Sequence, residues 1–195
     1  MKTKGFILVE LIVTFAIFTL LMGSVAAILP NFAKQYSYVQ NSVQTDKIGT
    51  TLLDLIESEL SYADQIYSIS TAGNYSTIEY RDSNLIYVRM GVVDNLKQIY
   101  EIDDVPITDS QKNYLKSGLL TLIYYPIDSS SKSSVWGYTS NYYVKNVIDS
   151  FIVEEAGDEF RDNILKVTLT LKHNETGQEK TFTRYIECKN VSSII

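Results

Sequence analysis

The sequence predicts an α+β fold, with one long N-terminal helix followed by an antiparallel β domain, for this 195-residue chain. Three observations predict it. Residues 6–29 are apolar almost throughout. Residues 32–66 keep apolar side chains at spacings of three and four, the period of a helix with one buried face. Beyond residue 77 the period becomes two, which is the alternation of strands with one wet face.

The first run is 24 residues long, more than the roughly 20 that cross a bilayer. Its only charge is Glu10, and a carboxylate there costs roughly 2.5–3.5 kcal/mol on insertion scales, so it calls for a partner or a function. Lys2 and Lys4 precede the run, which keeps the leader in the cytoplasm and sends the bulk outward. Phe32, Tyr36, Val39 and Val43, then Ile48, Leu52, Leu55, Ile56, Leu60, Ala63 and Ile66, continue the helix as an amphipathic stretch over 30–66. Asp54, Glu57 and Asp64 fall on its opposite face, and Pro30 and Gly49 are expected to bend or weaken it.

Strands are expected over 77–80, 85–90, 96–102, 119–125, 147–154, 164–172 and 180–187, with 138–144 ambiguous. Asp82-Ser83-Asn84 closes one hairpin, and Asn174-Glu175-Thr176-Gly177 closes the last. Residues 103–117 read as a polar connection and 128–134 as a Ser-rich loop. Residues 67–195 thus form one β-rich head of roughly 130 residues, enough for a core of its own.

Formal charge is −6; without Lys2 and Lys4, 15 basic side chains face 23 acidic ones. An acidic chain without clustered Lys or Arg is a poor grip for nucleic acid. A single cysteine, Cys188, excludes an intrachain disulfide and reads as a small residue near a strand end. The lone histidine, His173, reads as a surface residue beside its turn. Asp103, Asp104, Glu154, Glu155, Asp158 and Glu159 offer oxygen ligands for Ca²⁺ but without EF-hand spacing, so a solvated acidic face is expected and no metal site. Trp136 with Tyr138, Tyr142 and Tyr143 offers a recognition patch, or else plain strand packing. Neither a nucleophile elbow nor a phosphate loop occurs, so no catalytic residue and no cofactor are expected.

Lys4-Gly5, then Phe6, then Glu10 opening an apolar helix, resembles the N-terminus of type IV prepilins and type II secretion pseudopilins. The resemblance covers about the first 30 residues closely. It implies a pilin-like architecture, with the helix lying across the sheet. Residues 1–5 become a leader, a prepilin peptidase cuts between Gly5 and Phe6, and the new N-terminus of Phe6 is methylated. It also implies that Glu10 attracts the N-terminus of a neighbouring subunit. Partners would be other pilins or pseudopilins, the peptidase and an assembly platform in the inner or cytoplasmic membrane. The chain would be a non-enzymatic filament subunit of a pilus, a type II secretion system or a competence machine. Its size looks most like the larger minor members, including the J-type pseudopilins, and a head this bulky suits a low-copy subunit near a filament tip. Ile7 departs from the Thr or Ser of many members, and Gly23 and Pro30 fall later than in many pilins.

Other readings compete. A secretory signal would be cut near Ser24-Val25-Ala26, but its apolar core would span 7–15 residues. A membrane-anchored adhesin or binding module needs neither Glu10 nor a cut at Gly5. A secreted hydrolase would need a clustered nucleophile, His and Asp, which the chain lacks.

Overall fold

A computed structural model describes residues 4–94 (4–7 by backbone alone), 114–125, 133–157 and 163–191. The chain divides into two units, Met1–Val43 and Gln44–Ile195. Helix α1, Lys4–Leu60, contributes to both, and it runs through Pro30 and Gly49 without interruption.

The second unit contains the C-terminal part of α1 and eight strands: β1 Gln65–Ala72, β2 Tyr75–Arg81, β3 Tyr87–Val92, β4 Leu120–Tyr125, β5 Ser134–Gly137, β6 Asn146–Glu155, β7 Ile164–His173 and β8 Glu179–Glu187. They form one sheet in the order β5-β4-β3-β2-β6-β7-β8, with β1 also on β2. All pairings are antiparallel except β2 with β6, which meet in parallel at Tyr75 and Phe151. The α+β layout is as expected; the purely antiparallel sheet is corrected by this one junction. β1 occupies most of the β2 edge, so β6 can reach that strand only at its first residue.

Each turn of α1 from Ile48 onward buries one side of itself. Ile48, Leu52, Leu53, Ile56 and Leu60 join Ile78, Tyr80, Met90, Leu122, Phe151 and Leu169 in a single core. The same face supplies every buried helix residue because spacings of three and four stack side chains over one another. β7 shows the sheet's half of the arrangement: Leu165, Val167, Leu169 and Leu171 are buried, and the residues between them are not.

The helix stops at Leu60, not at residue 66. Asp64 then donates its backbone N–H to the carbonyl of Arg81 and its carboxylate takes the Arg81 guanidinium, which starts β1 against β2. Ala63 and Ile66 are both buried, but Ile66 is buried from a strand. The turn at Asp82 is as expected: its carboxylate accepts the N–H groups of Asn84 and Ile86. So is the last hairpin, where Gly177 takes φ 67° and donates to the carbonyl of His173. Residues 138–144, ambiguous by pattern, form a turn region, with Tyr142 and Tyr143 donating back to Thr139 and Ser140. The strand expected over 96–102, Asp103, Asp104, Asp158, Glu159 and most of the 128–134 loop lie outside the described residues.

Candidate functional site

From residue 8 to 40 every side chain is exposed. Leu20 is 73% exposed and Phe15 67%, values that belong to a surface residue of the polar kind. Among the described residues this is the one helix long and apolar enough to cross a membrane. The hydroxyls of its apolar run, up to Leu29, are satisfied within the helix. Thr14 donates to the carbonyl of Glu10 at 2.7 Å, Thr19 to that of Ala16 and Ser24 to that of Leu20, both at 2.9 Å. Such back-bonding leaves no hydroxyl seeking water, which is what hydrocarbon demands.

Glu10 remains the exception. Its side chain is exposed and shares a face with Leu11, Thr14, Phe15 and Phe18. No cation among the described residues pairs with it. Gly5 and Phe6 lie in the opening turns of α1, and Phe6 precedes Glu10 by four residues, one turn. The three residues singled out in the sequence therefore fall together within the first two turns of the helix.

In the second unit, besides the pairs of Thr45 with Asn146 and Asp46 with Lys180, α1 makes two sets of polar contacts near its C-terminal end. On one flank Arg184 of β8 reaches both Asp54, at 2.6 Å, and Glu57, at 2.7 Å. On the other, Glu59 accepts hydrogen bonds from the phenols of Tyr80, at 2.8 Å, and Tyr124, at 3.3 Å. Burial, and next the negative charge of Glu59, push the Tyr80 hydroxyl well above its ordinary range; Tyr124 moves the same way for the same reasons. Both phenols therefore stay protonated donors. Glu59 and Tyr124 open, with Ser134, Val135 and Trp136, onto a groove of about 320 Å³.

Trp136 is 41% exposed and continues into a row of rings, tilted on Tyr138 at 5.6 Å, with Tyr138 stacked on Tyr142 at 4.2 Å. Tyr143 closes the row from inside the core, where its hydroxyl oxygen accepts the backbone N–H of Leu120 at 3.0 Å. The row thus runs from a half-exposed ring at Trp136 to a buried one at Tyr143.

His173 is corrected. It is buried, not on the surface, because β7 runs to it and the hairpin folds over its ring. Its Nδ1 receives the N–H of Thr176 at 3.3 Å. Cys188 is fully buried just beyond β8, and burial pushes its thiol up to about 11, so it stays protonated and unreactive at neutral pH. Glu154 pairs with Lys166 at 2.7 Å, and no cluster of metal-ligating side chains occurs among the described residues. The groove at Glu59 was not visible in the sequence. Trp136 drew attention as an aromatic, but nothing in the chain order ties it to an acid 77 positions earlier.

Comparisons with family models, with curated proteins and with solved structures found no match to this chain.

Proposed function

We propose that this chain is a minor pilin or pseudopilin, a low-copy structural subunit that helps start or cap a filament outside the cytoplasmic membrane. The observation that carries the reading is the lone carboxylate of Glu10 on an apolar helix exposed along its whole first half. An apolar surface this long cannot stay bare in water, so it needs lipid or neighbours of its own kind. Glu10 adds a demand that lipid cannot meet, because a carboxylate in hydrocarbon needs a cation. Cleavage after Gly5 would free an α-amine on Phe6, one turn from Glu10 and at nearly the same depth. Each charge is costly alone; paired between subunits, they fix the register at which one subunit enters beside another. The roughly 130-residue head then faces outward and is too bulky to favour thousands of repeats.

Mass spectrometry of the membrane-extracted protein tests the reading. The expected N-terminus is Phe6 carrying one added methyl group. An N-terminus near Ala27 would identify a secretory signal, and an uncut leader a plain membrane anchor. Glu10→Ala should still insert but should be depleted from sheared filaments, and normal levels there would sink the pairing argument.

A further inference from the structure

The groove beside Glu59 has the chemistry of a cation site. A carboxylate offers about four lone-pair positions. Tyr80 and Tyr124 use two of them, and both approach from the core. No Lys or Arg among the described residues pairs with Glu59, although Asp54 and Glu57 on the same helix share Arg184 and Asp64 holds Arg81. The carboxylate is neither fully buried nor exposed, so water screens it incompletely. Its two phenol bonds fix the orientation of its oxygens before any ligand arrives. Across the groove stands the exposed ring of Trp136, and beside it the ring of Tyr124. Aromatic faces beside a carboxylate attract an ammonium group and its methylene stem together.

We propose that this groove binds the end of a lysine side chain from a partner protein, with Glu59 accepting from the ammonium group and Trp136 and Tyr124 packing on the stem. The acidic balance of the chain, 23 acidic against 17 basic side chains, favours a basic partner surface. A volume of about 320 Å³ admits such a stem, and the mouth lies at β5, the end strand of the sheet order. Arginine is a poorer occupant, because its planar fork needs two free oxygens in one plane and each oxygen here already accepts a phenol. The inference concerns the second unit alone and does not rest on the filament reading.

Trp136 is the sole tryptophan, so its emission reports on the groove directly. The full chain in detergent is titrated with Nα-acetyl-lysine amide, and separately with Nα-acetyl-norleucine amide at matched ionic strength. The lysine derivative should give a saturable change and the norleucine derivative none. Glu59→Gln, which removes the charge and keeps one oxygen acceptor for a phenol, should weaken binding by roughly tenfold or more, the loss expected when a charge-assisted hydrogen bond goes. Ser134→Lys should abolish the response by supplying the ammonium from within, and it keeps the test decisive if Glu59→Gln does not fold. Equal responses to the two amides, or a wild-type response in Ser134→Lys, would overturn the assignment.

Discussion

Two stretches of α1 share a secondary structure and differ in everything that surrounds it. Over residues 8–40 every side chain is exposed, whereas from Ile48 to Leu60 one face is sealed into the core. The first stretch is apolar on all sides as far as Leu29, Glu10 apart; the second alternates Leu and Ile with Asp and Glu. The difference teaches what each part of the helix is for. An all-apolar surface marks a helix whose solvent is lipid or other helices, and a striped one marks a helix that completes its own domain.

The sharpest break between them is the response to cavities. Leu52 is fully buried, so Leu52→Ala should cost about 2–5 kcal/mol of stability of the second unit. Leu20→Ala, on a residue 73% exposed, should leave that stability unchanged. Urea unfolding in detergent, followed by near-ultraviolet circular dichroism, measures both. Similar losses for the two would mean that the first stretch is part of the same cooperative core.

Glycine gives a finer comparison, because each stretch holds one. A Cβ on Gly23 meets nothing within 4 Å, while one on Gly49 would fall inside the ring of Phe182. Alanine gains up to about 1 kcal/mol over glycine in a helix interior. At Gly49 overpacking, worth about 1–3 kcal/mol, opposes that gain and exceeds it unless the half-buried Phe182 ring swings away. Gly49→Ala should therefore destabilise the second unit by about 1–2 kcal/mol, and Gly23→Ala should not change its unfolding midpoint. A stabilised Gly49→Ala variant would show that Phe182 yields freely and that the glycine is not required for packing.

The same contrast explains which parts of the molecule were legible in the sequence. The apolar run, the striped helix and the strands of β7 and β8 follow from unbroken periods of side chains. β1 was missed because its register shifts between Ile66 and Ser68, so its burial does not alternate cleanly. Buried Ala63 and Ile66 happened to prolong the helical spacing, which hid the end at Leu60. β5 is four residues long and lies beside a run of serines, too short for any period to register. At the N-terminus, Gly5, Phe6 and Glu10 could be read because their meaning is carried by adjacent residues. Glu59, Tyr124 and Trp136 could not, since only the sheet order brings β4 and β5 over the helix.

The smallest expected effect is one of pH, and it separates the acids of the two units. Glu10 pairs with no cation among the described residues, but Glu79 is held by Arg89 at 2.7 Å and by Ser68 at 2.9 Å. Burial alone would raise the Glu79 carboxyl; hydrogen bonds from Tyr87 and Ser68, together with the charge and hydrogen bond of Arg89, outweigh it and lower its pKa. A carboxyl depressed in the folded state binds its proton more weakly there than in the unfolded chain. Its contribution is thus fully present above the unfolded value of about 4.3 and is lost as pH falls through the lower folded value. Glu79→Gln removes that contribution at neutral pH, by about 1 kcal/mol for a pair this incompletely buried. As pH falls from 7 to 3, the wild-type protein should lose stability faster than the variant, so the gap between their urea midpoints should narrow. A gap that stays constant across this range would assign the acid sensitivity of the second unit to groups other than Glu79.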